Sequence, residues 1–341
     1  MAKRARTTRI GISDVASKAG VSLATVSRVM NGNFSVDPQI ADRVRAAATE
    51  LKYQPNPMGR NLARGKTDTI GVVVPDLANP TFQGVLRGVS RAAAQDGYRV
   101  LIADSSEVSS EEAVLAGEAR RRCDGVILCA PRMSPAELQE LAPSLHPMVL
   151  VNRTTEAADS PCVMVDYGQG IQGLATHLAQ LGHTRIAYVA GPESSASNAS
   201  RLAGLEAFSQ THPHIELVFL QSGSTFEDGH ESASDVLASK ATGILAFNDL
   251  TAMGLLSSLN ERGIKVPEDI SVTGFDDIPF ARYTTPPLTT AAVPILSVGE
   301  HAWEQMRELL DGAAPAQSRQ VFQPHLVARG STGAAAASSG H

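Results

Sequence analysis

The stretch Ile12 to Asn31, ISDVASKAGVSLATVSRVMN, leaves the chain little freedom in how it begins. Its spacing predicts two short helices joined by a tight turn. Ser13 is placed to cap the first, about Asp14 to Ala19, with Val15, Ala16 and Ala19 at helical spacing. Gly20 turns the chain at little steric cost. Ser22 then caps a second helix, about Leu23 to Met30, whose apolar stripe is Val26, Val29 and Met30. Leu23, Ala24, Thr25, Ser27 and Arg28 fall on its other faces. A capped helix that packs by one narrow stripe and presents small, polar and basic side chains suits the major groove of DNA. A helical hairpin inside a globular core fits the same spacing, so spacing alone does not choose.

The next segment predicts a third helix, with Asp37 as cap, Pro38 at its first position, and Ile40, Val44, Ala47, Ala48 and Leu51 recurring on one face. Pro55 and Pro57 end it, and a short helix, Met58 to Ala63, is possible within the linker that follows. The charge of this front end is distinctive. Residues 1–66 carry twelve Lys and Arg against four Asp and Glu, or +8; the remaining 17 bases and 31 acids leave −14. A basic head on an acidic body binds phosphates at one end and holds the rest off a polyanion.

From Ile70 the rhythm changes to apolar strands separated by helices. The predicted strands are 70–75, 98–103, 125–130, 148–152, 185–191, 215–220, 241–248 and 270–276. Continuous apolar strands between helices imply parallel sheets covered on both faces. The pattern restarts near Arg185, which gives two doubly wound lobes with a cleft between them. Ligands in such sheets bind beyond the carboxyl ends of the strands. The polar residues there are Asp76, Asn79 and Phe82's neighbourhood after the first strand, Asn152 and Arg153 after the fourth, Asp166 after VMV, Ser197 and Arg201 after RIAYVAG, Asn248 and Asp249 after AF, and Asp276 and Asp277 after SVTGF. A small polyol needs carboxylate acceptors, a guanidinium fork and an amide, which Asp276, Arg201 and Asn248 supply, while Phe82 offers a flat apolar face. Asp249 and Asp277 read as helix caps.

Three cysteines without a CxxC pair point to a reducing compartment and not to disulfides or a zinc site. The basic N-terminus has no apolar stretch of a signal peptide, and no run is long enough to span a membrane. His212-Pro-His214 is a poor metal framework, and no P-loop, GxGxxG after a strand, GxSxG or HExxH is present. The expectation is therefore a cytoplasmic protein with no catalytic residues, no cofactor and no metal. The Ala/Ser-rich end, 331–341, is expected to be disordered.

The pattern DVA-x-x-AGVS-x-x-TVSRV-x-N, Asp14 to Asn31, resembles the DNA-binding headpiece of the LacI/GalR family of bacterial transcription regulators, and the similarity continues to about Gly330. The resemblance implies an all-α helix-turn-helix head (1–54), a hinge helix (55–69) and an α/β body (70–330) like a type I periplasmic sugar-binding protein. Each lobe of that body is discontinuous, one about 70–165 plus 295–322, the other 166–292 plus 323–330. It implies DNA contacts from Ser22, Leu23, Ala24, Thr25, Ser27, Arg28, Asn31, Asn56 and Arg60, with Leu62 as a wedge in the minor groove. RLAG at 201–204, FND at 247–249 and GFDD at 274–277 match the family's effector-site motifs and carry over Arg201, Asn248 and Asp276. Ser224 stands where many members place an aromatic residue, although Phe226 is close by. The partners implied are a palindromic DNA operator, a small sugar-like effector of either regulatory sign, and a second copy of the chain. A regulator responding to a non-sugar metabolite, a solute-binding protein or a Rossmann-like enzyme are the alternatives.

Overall fold

The computed structural model describes residues 10–30, 36–53, 65–155, 160–313 and 318–335, and the chain divides into two compact units between Thr67 and Asp68. Among the described residues the first unit contains three helices, α1 (Ile12–Ala19), α2 (Leu23–Met30) and α3 (Pro38–Glu50). Val15, Val26 and Val44, one from each helix, are fully buried and form the centre of its core. α1 starts before Ser13: Gly11 is its cap residue, and the Asp14 carboxylate accepts the Gly11 N–H at 2.8 Å. Ser13 is thus a helical residue and not the cap. Gly20, at φ +66°, ends α1 in the left-handed conformation that glycine adopts at least cost. Ser22 caps α2 as expected, accepting the Thr25 N–H at 3.1 Å, and Asp37 caps α3. On α3 it is Ala41, not Ile40, that reaches the core with Val44, Ala47 and Ala48.

The second unit runs β1 (Thr69–Val74), α4 (Pro80–Gln95), β2 (Arg99–Asp104), α5 (Ser109–Arg122), β3 (Gly125–Cys129), α6 (Pro135–Leu145), β4 (Met148–Val151), β5 (Cys162–Val165), α7 (Tyr167–Gln180), β6 (Arg185–Ala190) and α8 (Ala196–Thr211). It continues with β7 (Glu216–Gln221), α9 (Phe226–Glu231), α10 (Ala233–Ala238), β8 (Gly243–Ala246), α11 (Asp249–Glu261), β9 (Ser271–Thr273), β10 (Thr290–Ala292), α12 (Ile295–Leu310), β11 (Arg319–Phe322) and β12 (His325–Val327). Six parallel strands form one sheet in the order β11-β5-β4-β3-β1-β2, and four form another in the order β7-β6-β8-β9. β10 and β12 make a small antiparallel ribbon. The chain passes between the lobes three times, at 165–167, 292–295 and 322–325, so residues distant in sequence close each lobe.

All eight strands expected from apolar runs are present. Among the described residues there are four others, β5, β10, β11 and β12, each three or four residues long. β2 departs from its expected character. It is the edge of its sheet and exposes Leu101 and Ile102.

Residues 331–335 correct the expectation of a disordered end. Ser331 is fully buried; its hydroxyl donates to the Val272 carbonyl at 2.6 Å and accepts the Thr289 N–H at 2.8 Å. Ala335 N–H reaches the Leu181 carbonyl at 2.8 Å. Small, polar composition reads as disorder, but here the small side chains let the backbone lie against β9. The His183 ring joins this region, bonded to Thr242 Oγ1 at 2.8 Å and Ser271 Oγ at 3.0 Å.

α4 and α12 approach through glycines. A methyl group built on Gly88 would sit 2.2 Å from the Leu296 carbonyl oxygen, and one on Gly299 would sit 2.2 Å from the Val85 carbonyl oxygen. Helix propensity alone favours alanine over glycine by roughly 0.5–1 kcal/mol. The contact reverses that sign: Gly88→Ala is expected to lower the urea midpoint of the second unit, costing about 1–3 kcal/mol. A midpoint that rises would show that the two helices can separate freely.

Candidate functional site

The first candidate surface is α2. Its apolar stripe is spent on the head's core, which leaves Ser22, Leu23, Ala24 and Arg28 exposed and Thr25 and Ser27 half-buried. Leu23 is 52% exposed, unusual for a large apolar side chain at a helix start. Ser22 is partly committed, since its hydroxyl also bonds the Thr25 hydroxyl at 2.9 Å. Asn31, Asn56, Arg60 and Leu62 lie outside the described residues.

The second candidate is a narrow cleft between the two lobes, at the carboxyl ends of the strands, with a cavity volume of about 30 Å³. Asn79, Phe82, Asn152, Ser197, Arg201, Asn248 and Asp276 all line it. From the first lobe, Asn79 caps α4 by accepting the Thr81 N–H at 2.9 Å, which fixes Thr81 and Phe82 on the first helical turn. Asn152 follows β4 with φ +55°, its Oδ1 accepting the Val165 N–H and its Nδ2 donating to the Tyr167 hydroxyl. From the second lobe, Asn248 caps α11 through Thr251 N–H at 2.8 Å and donates to the Ser224 carbonyl at 2.9 Å.

Arg201 and Asp276 are the charged centre. Arg201 is 1% exposed, with its guanidinium carbon 4.3 Å from the Tyr167 ring, 4.6 Å from Phe247 and 4.1 Å from Phe275. Such a cage holds a cation by ring quadrupoles while spending few of its N–H donors. Nη1 donates to the Ser197 carbonyl at 3.1 Å, and the buried Nε has no hydrogen-bond partner. Asp276 sits at φ +106°, a costly conformation for a residue with a Cβ, held by Asp276 N–H to Ala291 O at 2.9 Å. Its Oδ2 accepts the Thr81 hydroxyl at 2.8 Å, a direct hydrogen bond from lobe to lobe. Burial pushes the Asp276 carboxyl up to about 6, against the opposing pull of Arg201 and Thr81.

Three expected residues are elsewhere. Asp76 folds back to accept the Ala78 N–H at 2.7 Å, and Asp166 caps α7 by accepting the Gln169 N–H at 2.9 Å. Both are short side chains claimed by the nearest backbone donors. Arg153 donates to the Met133 carbonyl at 2.8 Å, and burial lowers its pKa. Asp249 and Asp277 are not caps. The fully buried Asp249 accepts the Ile278 N–H at 2.8 Å and the Thr290 hydroxyl at 2.6 Å, and burial, then the charge of Asp276, raises its pKa well above the usual carboxylate range. Asp277 pairs with Arg329 at 2.6 Å. Phe226 is exposed and does not line the cleft, whereas Ser224 does.

Sequence reasoning missed Thr81, Ala130, Arg132, Tyr167 and Phe247. Arg132 lies just past β3, and the rule that selected the other residues applies to it equally. Tyr167 follows β5, whose four residues were not read as a strand. Among the described residues no group of His, Cys, Asp and Glu is arranged to hold a metal ion, and no helix is long and apolar enough to cross a membrane.

The raised Asp276 carboxyl gives a pH signature. A native pKa above the ordinary 3.8 favours the fold below about pH 4, and that contribution is lost as pH rises through about 6. Between pH 4 and 7 the stability difference between wild type and Asp276→Asn is therefore expected to move in the variant's favour, by on the order of 2 kcal/mol. A difference that is flat with pH in paired denaturation curves would place the carboxyl in a wetter setting than the structure gives it.

Comparison with known proteins identifies both units. Residues 11–56 match the model of the bacterial regulatory proteins of the lacI family, and residues 175–332 match a periplasmic binding protein-like domain. The HTH-type transcriptional repressor CytR of Escherichia coli (strain K12) is 33% identical over 337 residues, 97% of this chain and 99% of CytR. A Lac repressor dimer bound to operator and the anti-inducer ONPF superposes with a TM-score of 0.86 at 26% identity, covering 96% of this chain and all of that one. A LacI family transcriptional regulator from Enterococcus faecium with bound ribose superposes at 0.71 and 27% identity, covering 78% of this chain and 99% of the other. The head, the two-lobed body and these relatives, aligned along nearly the whole length, make this chain a member of the LacI family, a DNA-binding transcription regulator.

Proposed function

We propose that this regulator is a repressor of carbohydrate-utilisation genes, acting in the bacterial cytoplasm by binding and not by catalysis, whose hold on a palindromic operator is set by a sugar-like effector in the interlobe cleft. The observation that carries this reading is the cleft itself: a caged Arg201, a buried Asp276 and the amides of Asn79 and Asn248 on opposite walls, bridged by the Thr81–Asp276 hydrogen bond. A ligand that bonds both walls has different contacts in open and closed arrangements, which is the condition for shifting between them.

At the other end, Arg28 is suited to a guanine O6/N7 pair, while Leu23 and Ala24 make apolar contacts such as to thymine methyls. Arg60, Asn56 and Leu62 are assigned to the hinge, with Leu62 as the minor-groove wedge. One head makes few base contacts, so a homodimer reading two half-sites is the working assembly. Exposed apolar side chains on one edge strand of each sheet, Ile102 on β2 and Phe219 on β7, support a second copy as partner.

Fluorescence anisotropy with operator and scrambled duplexes tests this. Arg28→Ala should relax selectivity at one base pair per half-site, about 1–3 kcal/mol, and unchanged sequence preference would remove Arg28 from base reading. Asp276→Asn should leave operator affinity intact while abolishing its response to the sugar. A variant that still responds would move the effector out of the cleft.

A further inference from the structure

The cleft contains two arginines, one locked in an ion pair and the other caged by aromatic rings. The Glu107 carboxylate takes Arg132 in a bidentate pair, Oε2 accepting from Nε at 2.6 Å and Oε1 from Nη2 at 2.8 Å. Arg132 Nη1 donates to the Ala130 carbonyl at 3.0 Å. The pair is built in. Ser106 and Glu107 adopt left-handed backbone, φ +51° and +61°, to bring the carboxylate round. The buried Glu112 accepts the backbone N–H groups of Arg132 and Met133 at 2.7 and 2.8 Å, fixing the arginine's own main chain. Arg201 has no such bidentate partner, but its charge acts on Asp276, the carboxylate that lines the cleft, lowering its pKa against the effect of burial. With Glu107 against Arg132 and Asp276 against Arg201, the formal charges around the ligand space cancel.

Resting on the effector reading above, we propose that the cleft selects an uncharged polyhydroxyl ligand over its phosphorylated or carboxylated counterpart, with Arg132 and Glu107 as the specificity-determining pair. An anion entering this space adds a charge to a set whose formal charges already cancel, next to the Asp276 carboxylate. To gain a counter-charge it must break the Arg132–Glu107 pair and strand Glu107. A neutral polyol meets no such cost. Two of the five guanidinium N–H groups of Arg132 are left over from the bonds above, Arg201 Nε has no partner, and Asp276 keeps one oxygen for a hydroxyl donor. Arg153 donates to the Met133 carbonyl and does not line the cleft.

The test uses the full chain and matched pairs at equal ionic strength: ribose with ribose 5-phosphate, glucose with glucose 6-phosphate, galactose with galacturonate, each read by calorimetry. In any pair that binds, the uncharged member is expected to bind roughly tenfold or more tighter, and Glu107→Gln to narrow or invert that ratio. A charged member that binds wild type more tightly than its neutral partner, with the advantage lost in Arg132→Gln, overturns the proposal. If no pair binds, the sugar reading fails, and inorganic phosphate then decides the charge question by thermal shift. Phosphate that stabilises wild type no more than Arg132→Gln, but stabilises Glu107→Gln more than either, supports a charge-cancelled cleft. Phosphate that stabilises wild type more than Arg132→Gln contradicts it.

Discussion

The hydrogen bond from Thr81 to Asp276 joins two lobes through one buried carboxylate, and the rest of the effector domain can be understood as the means of holding that carboxylate in place. Asp276 occupies a strained backbone conformation at the end of β9, and β10 braces it from the neighbouring ribbon. Burial of the charge is costly, and Arg201 offsets part of that cost. Arg201 in turn is held by three aromatic rings and not by a full set of hydrogen bonds, so its donors are not exhausted by the protein. A polar network left incomplete in a buried space is what a ligand can complete.

The second acid, Asp249, has the opposite character. It is satisfied by Ile278 N–H and the Thr290 hydroxyl, and it ties α11 to the segment that carries Asp276 towards β10. Asn248, one residue earlier, joins the cap of α11 to the Ser224 carbonyl on the cleft wall. The FND and GFDD motifs therefore specify one connected construction: a helix cap, a structural acid and an acid that lines the cleft.

Much of this was legible in the chain. The basic head, the capped second helix and the strand–helix alternation follow from spacing and charge, because those elements are long enough for periodicity to show. Arg201, Asn248 and Asp276 were legible because they lie where strands of a doubly wound sheet end. The same rule also admitted Asp76, Asp166 and Arg153, which do not line the cleft, since a strand end offers a short carboxylate nearby backbone N–H groups, or an arginine a nearby carbonyl, as readily as a cleft. Tyr167 and Phe247 were hidden by their apolar context, and Ser331 by composition. A serine that accepts one backbone N–H and donates to one carbonyl is built into a fold by a neighbour more than forty residues away.

The central claim is that occupancy of the cleft and occupancy of the operator are thermodynamically coupled, and linkage makes the coupling reciprocal. The most direct measurement is the affinity of one identified effector for the protein free and saturated with operator, set beside the operator affinity with and without that effector. The account requires the two ratios to be equal and to differ from one. An effector that binds with the same affinity on and off DNA would contradict it.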